Sequence, residues 1–151
     1  MIVEPVSWNH PDAVALREAQ SVEIGELYAA EPSVTHRAGS EIIESDSVVE
    51  TFVAYDDSKP VGHIALRLLD GEFEIKRMYV LRSHRGSGVA NDLLAAIENA
   101  GRGRGATRLV LHTGNQQHAS IRFYARHGYL PIPVYPPYQS VAYSLCFEKI
   151  F

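Results

Sequence analysis

Apolar and polar side chains alternate along much of this chain, and between the alternating runs the spacing becomes helical. Residues 2–6 fit a first strand. Pro11 suits a first helical turn, and residues 12–29 carry helix formers with only loose amphipathic spacing. Residues 30–47 are polar, with Pro32, Gly39 and several hydroxyls, and read as a loop with room for a short helix. Residues 48–55 and 61–69 are strand-like and are joined by Asp56-Asp57-Ser58-Lys59-Pro60, a turn composition. Asp70-Gly71 signals a tight turn into a third such run, residues 73–80. Three successive strands on short turns predict an antiparallel meander. Strict alternation in 73–80 sets Glu74, Lys76, Met78 and Val80 on one face and Ile75, Arg77 and Tyr79 on the other.

From about residue 89 to residue 100, Val89, Leu93, Ala96, Ile97 and Ala100 share one helical face, and Gly101, Gly103 and Gly105 end the helix. Residues 107–113 read as the next strand. A helix between two strands implies that those strands run parallel. A second helix, about 117–127, stops at Gly128; residues 130–134 fit a short strand, and prolines 131, 133, 136 and 137 mark an irregular link. Residues 141–149 alternate, with Val141, Tyr143, Leu145 and Phe147 on one side, as a final strand would. No repeat or low-complexity segment interrupts this order. Residues 1–151 are therefore expected to form one domain of the mixed α/β (α+β) class. Its centre is a mostly antiparallel sheet of six to seven strands with flanking helices.

Composition adds exclusions. A chain of 151 residues, 46% hydrophobic and 21% charged, is ordinary for a globular protein. No run approaches the roughly 18 apolar residues of a membrane helix, so no membrane partner is expected. Met1-Ile2-Val3-Glu4-Pro5 lacks the basic-then-apolar order of a secretory signal. The single cysteine, Cys146, excludes an internal disulfide and a cage of cysteines around zinc. A cytoplasmic location is expected. The net charge of −4 argues against nucleic acid as a partner, since phosphate neutralisation needs a basic surface. Two basic clusters remain. Arg102, Arg104 and Arg108 suit a solvated helix end, whereas Arg82, His84 and Arg85 sit beside a glycine-rich turn. The seven histidines show no metal-ligand spacing, so no metal is expected.

That turn, Arg85-Gly86-Ser87-Gly88-Val89-Ala90, lies between a strand-like run and a helix. The order builds an anion site. Glycines allow a tight turn and close approach of a ligand. The first amides of a helix have no partner within it and point outward with the positive end of the dipole. A P-loop would need a lysine followed by a hydroxyl residue, which is missing. A dinucleotide fingerprint would need a third glycine where Asn91 stands. Arg85, Gly88 and Ala90 fit instead the pattern Arg/Gln-x-x-Gly-x-Gly/Ala, which resembles the acetyl-CoA loop of the GNAT superfamily of N-acetyltransferases. Two further segments extend the resemblance. Glu74-Ile75-Lys76-Arg77-Met78-Tyr79-Val80 resembles that family's fourth strand. Gln117 through Ile121-Arg122-Phe123-Tyr124-Ala125-Arg126-His127-Gly128-Tyr129 resembles its Asn-x-x-Ala-x-x-x-Tyr-x-x-x-Gly-Phe segment. The match is good over roughly residues 48–130 and loose at the ends.

The resemblance implies fourth and fifth strands that splay apart and a coenzyme arm lying in the gap. Met78, Tyr79 and Val80 would then contact the pantetheine, and the backbone amides of Arg85, Gly86, Ser87, Gly88, Val89, Ala90 and Asn91 would hold the pyrophosphate. Gln117 matches the family's pantetheine-binding asparagine, with Asn115 the competing candidate. Tyr124 matches the family's general acid; the other reading is a core aromatic on a helix. Glu74 lies eleven residues before Arg85, an offset at which some members carry their base; the other reading is a paired strand carboxylate. His112 stands where many members have glutamate, and an imidazole can act as a base or sit buried and hydrogen-bonded. Cys146 could act as a nucleophile or pack as a small residue.

The implied reaction is acetyl-CoA-dependent acetyl transfer to a primary amine by direct attack in a ternary complex. The acceptor would be a small molecule or amino-acid-like, held near residues 29–47 and 132–143. Glu31, Glu41, Glu44 and Asp46 could attract a cationic amine or form a solvated loop. Tyr135, Tyr138 and Tyr143 could wall the acceptor or cap the core. Members of the family often pair as homodimers. Two alternatives use the same residues: a catalytically idle acyl-CoA-binding sensor, and a structural domain without a coenzyme.

Overall fold

The computed structural model describes residues 1–29 and 43–151. Seven strands form one sheet: β1 (Ile2–Pro5), β2 (Val48–Asp56), β3 (Lys59–Leu69), β4 (Glu72–Val80), β5 (Arg108–Gly114), β6 (Leu130–Ile132) and β7 (Ser144–Ile150). Their order in space is β1-β2-β3-β4-β5-β7-β6. Every neighbouring pair is antiparallel except β4–β5, which the helix α2 (Val89–Gly103) joins as a parallel crossover. Helix α1 (Pro11–Ala29) precedes β2, and α3 (His118–Arg126) follows β5. The expected class and meander are observed, with Asp70 (φ 50°) and Gly71 (φ 81°) making the tight β3–β4 turn.

The two faces of the sheet carry different layers. Val53 packs with Ala13 and Leu16 of α1, while its neighbour Ala54 joins the main core with Leu93, Leu94 and Ile97 of α2 and Phe123 and Tyr124 of α3. The buried side of α2 is wider than its apolar stripe, since Glu98 and Gly101 are buried while Ala96 and Ala100 are half-buried. Glu98 is held there by the Tyr129 hydroxyl at 2.8 Å and by Lys149 Nζ. In α1 the buried residues include Arg17 and Gln20, which explains its loose apolar spacing. The last strand is shorter than expected. Tyr143 takes φ 62°, a left-handed conformation that breaks the extended run, so Val141 and Tyr143 lie outside β7.

Strict alternation in β4 does not hold. Between the pairs His63↔Tyr79 and Ala65↔Lys76, two residues of β4 face one of β3, and Arg77 adopts φ 59°. This β-bulge shifts the pattern by one residue. Glu74, Lys76 and Tyr79 therefore share the α1 face, and Ile75 and Val80 both enter the core beneath α2.

His63 holds the bulge. Its Nε2 accepts from Arg17 at 3.0 Å, which leaves the proton on Nδ1 to donate to the Arg77 carbonyl at 2.8 Å. The Arg17 guanidinium stacks 3.5 Å above Trp8 and donates to its carbonyl. Burial, assisted by the Arg17 charge, pushes the His63 pKa down to about 3 against the pull of the Arg77 carbonyl. The folded state thus excludes a proton that the unfolded chain takes up below about pH 6.5. Stability that is full above that pH is expected to fall as the pH drops toward 3. Urea titrations at pH 7.5 and pH 5 should show a larger loss for the wild type than for His63→Gln. Equal losses would remove His63 as the source.

Candidate active site

Beyond Ile75 and Leu111 the parallel pairing of β4 with β5 ends, since only Phe73↔Leu109, Glu74↔Val110 and Ile75↔Leu111 are in register. The strands splay, and a small cavity of about 60 Å³ opens between them, lined by Lys76, Met78, His112, Gln117 and Tyr124 among others. A groove of about 870 Å³ adjoins it. The groove runs past Met78, Tyr79 and Val80 to Arg85, Gly86, Gly88, Ala90 and Asn91, with Gln117 on its other wall.

The glycine turn is shaped as an anion cradle. Gly86 (φ 79°) and Gly88 (φ 91°) take left-handed conformations, and a Cβ at either would meet nothing within 4 Å. The glycines are thus required by backbone geometry, and the space beside them is open. Among the described residues no backbone carbonyl accepts from the amides of Gly86, Ser87 or Gly88. Val89 turns its side chain into the core and can offer only its amide. Arg85 plays a different part from the one expected of it. Its amide donates to Arg82 at 3.4 Å, its Nε caps the Val80 carbonyl at 2.9 Å, and its guanidinium holds both Glu23 oxygens at 2.8 Å. Burial pushes the Glu23 carboxyl up, but Arg85 and Arg82 outweigh it and hold it below the usual range. The Ser87 hydroxyl donates to the His84 carbonyl, and Asn91 Oδ1 meets His127 at 2.9 Å. A diphosphate fits this cradle, and an extended arm fits the groove leading to the gap.

Tyr124 and His112 meet the gap from opposite faces of the sheet. Tyr124 projects from α3 between Phe123 and Tyr129, each ring edge-on to it at 5.3 Å. Burial pushes its phenol well above the ordinary range, so it stays protonated and can donate. His112 is nearly buried, meets Ser144 Oγ at 2.9 Å through Nε2, and stacks on Tyr138 with ring centroids 3.7 Å apart. Glu74 lines neither cavity. It is 0% exposed, accepts from Arg67 Nε at 2.6 Å and from the hydroxyls of Tyr135 at 2.5 Å and Tyr138 at 3.3 Å, and lies 4.0 Å from Lys76. Its links toward the gap run through Lys76, which lines it, and through Tyr138, which stacks on His112. Asn115 also lies outside both cavities, with its amide on the Tyr143 carbonyl, whereas Gln117 lines both. Cys146 is buried opposite His112 on β7, and burial pushes its thiol up, away from a nucleophilic thiolate.

Tyr138 belongs to the charged network under His112, and Tyr143 is exposed. Glu44 and Asp46 are exposed; Glu31 and Glu41 lie outside the described residues. Of the second basic cluster, Arg104 pairs with Glu50 and Arg108 with Glu72 and Glu148. Among the described residues no group of histidine, cysteine and carboxylate side chains could hold a metal, and no helix is long and apolar enough to cross a membrane. Sequence reasoning missed the α1 wall of the site, Gln20, Glu23, Ile24 and Leu27, and the α3 residues Ser120 and Arg126.

The sequence profile of the Acetyltransferase (GNAT) family matches residues 14–129. An uncharacterized N-acetyltransferase of Bacillus subtilis, YjcF, is 38% identical over 104 residues, 69% of this chain and 71% of that protein. A Klebsiella pneumoniae protein solved as a candidate acyl-CoA N-acyltransferase superposes with a TM-score of 0.81. It is 28% identical, with 99% of this chain and 96% of that one covered. The PaiA N-acetyltransferase of Thermoplasma acidophilum, solved in complex with coenzyme A, shares the fold at a TM-score of 0.73 and 18% identity, with both chains covered in full. With its splayed β4 and β5, its glycine cradle and these likenesses, the chain belongs to the GNAT family and is an N-acetyltransferase.

Proposed function

We propose that this enzyme moves an acetyl group from acetyl-CoA to the primary amine of a small or amino-acid-like acceptor, by direct attack with both substrates bound. The observation that carries this reading is the gap through the sheet, with a protonated phenol on one side and an imidazole on the other. Coenzyme A, when bound, supplies an acetyl thioester, and the transfer forms a C–N bond and breaks a C–S bond.

The chain's own residues divide the remaining work. The amides of Gly86, Ser87, Gly88, Val89 and Ala90 hold the diphosphate, and Arg85 fixes the loop through Glu23 and Val80. Met78, Tyr79 and Val80 on one side and Gln117 on the other guide the arm into the gap, which orients the reactants. His112 receives the proton that the amine gives up as it attacks. Tyr124 gives its hydroxyl proton to the departing sulfur. Glu74 is a positioning residue, since it holds Tyr138 and Tyr138 stacks on His112. The acceptor approaches from the α1 face, where His112, Lys76 and Tyr138 lie.

The test is direct. Acetyl-CoA at 100 times its dissociation constant should stabilise the fold by about 2.7 kcal/mol, and thiol release should appear with members of a panel of amines, amino acids and peptides. Stabilisation without thiol release from any amine would leave an idle acyl-CoA-binding domain. No stabilisation would end the coenzyme reading altogether.

A further inference from the structure

One polar atom at the gap takes no part in either proton transfer. Gln20, on α1, is 8% exposed and lines both the groove and the gap. Its amide donates from Nε2 to the Met78 carbonyl at 2.9 Å. A carbonyl can only accept, so this bond fixes which end of the amide is which. The other end, Oε1, is buried and meets no donor among the described residues. A buried acceptor left alone is unfavourable, and such atoms are rare in folded proteins. Something that carries an N–H and enters the gap would remove that penalty.

Resting on the acetyl-transfer reading above, we propose that Gln20 Oε1 accepts a hydrogen bond from the attacking nitrogen of the acceptor. Two N–H-bearing groups could reach it: an amide of the coenzyme arm, and the amine. Two observations favour the amine. Gln20 belongs to α1, on the sheet face that carries His112. It also touches the small cavity where His112 and Tyr124 meet, so it borders the reacting centre as well as the groove. A neutral primary amine attacks with its lone pair and has two N–H groups. One proton passes to His112 as the C–N bond forms, and Gln20 Oε1 holds the other N–H. As the nitrogen gains positive charge, that hydrogen bond strengthens, so its effect falls on the transition state more than on binding. A secondary amine has one N–H and cannot satisfy both. The site is therefore selective for primary amines over their N-methyl counterparts.

The experiment compares a turned-over primary amine with its N-methyl derivative in the wild type, Gln20→Met and Gln20→Glu, and measures coenzyme A affinity by calorimetry in all three. Gln20→Met should lower kcat on the primary amine by about 10- to 100-fold, narrow the preference over the N-methyl amine and leave coenzyme A affinity within about twofold. Gln20→Glu loses the donor to Met78 but keeps an oxygen at the same reach, and should keep the preference. A fall in coenzyme A affinity with kcat unchanged would give Oε1 to the coenzyme arm and overturn the proposal. Loss of the preference in Gln20→Glu to the same degree as in Gln20→Met would make the Met78 clamp the reason, and would overturn it too. Failure of the underlying reading shows separately, as a wild type that releases no thiol with any amine.

Discussion

Tyr124→Phe should lower kcat by about 10²- to 10⁴-fold, the usual contribution of a positioned general acid, while coenzyme A affinity stays close to that of the wild type. The phenol is buried between Phe123 and Tyr129, and that burial keeps its proton in place at neutral pH. Removing the oxygen deletes the proposed donor to the sulfur but leaves the ring, so packing on α3 is nearly unchanged. The measurement is steady-state kinetics beside calorimetric titration with coenzyme A. Equal losses in kcat and affinity would remove Tyr124 from the acid role and make it a wall of the groove.

The second large effect is on stability. Arg67→Leu should destabilise the fold by about 3–5 kcal/mol, the range seen when one partner of a buried ion pair is removed. Arg67 Nε and Glu74 Oε1 lie 2.6 Å apart with side chains 8% and 0% exposed. Truncation leaves a buried carboxylate supported by two phenols and a lysine 4.0 Å away. For a chain of this size the melting temperature should fall by about 10 °C. Adding Glu74→Gln, which removes the charge but keeps two polar atoms, should recover much of the loss. A drop under about 1 kcal/mol would mean that Tyr135, Tyr138 and Lys76 support the carboxylate without Arg67.

The sheet was legible in the sequence because alternation reports the half-buried strands directly, and short turns such as Asp70-Gly71 leave few ways to connect them. The glycine turn was legible for the same local reason, since Gly86 and Gly88 supply a backbone conformation that other residues avoid. The rest depends on contacts distant in sequence. The bulge at Arg77 has no local signature: arginine rarely adopts a positive φ, and here His63 and Arg17 impose it through two hydrogen bonds. The α1 wall escaped notice because its site-facing residues include a glutamine and a glutamate, which read as solvent-facing positions. Glu74 stood at the offset of a base, but its partners come from β3 and from the link after β6, and only the fold brings Arg67, Tyr135 and Tyr138 around it.

The seam between β4 and β5 is joined by three rungs of the ladder, whereas β2 with β3 and β5 with β7 pair along most of their lengths. The sheet is therefore two leaves, β1 to β4 and β5, β7 and β6, stitched at one end and open at the other. A molecule lodged in the opening touches both leaves and acts as a rivet between them. A ligand that fills the opening is therefore expected to make the two leaves yield to heat more nearly as a single body.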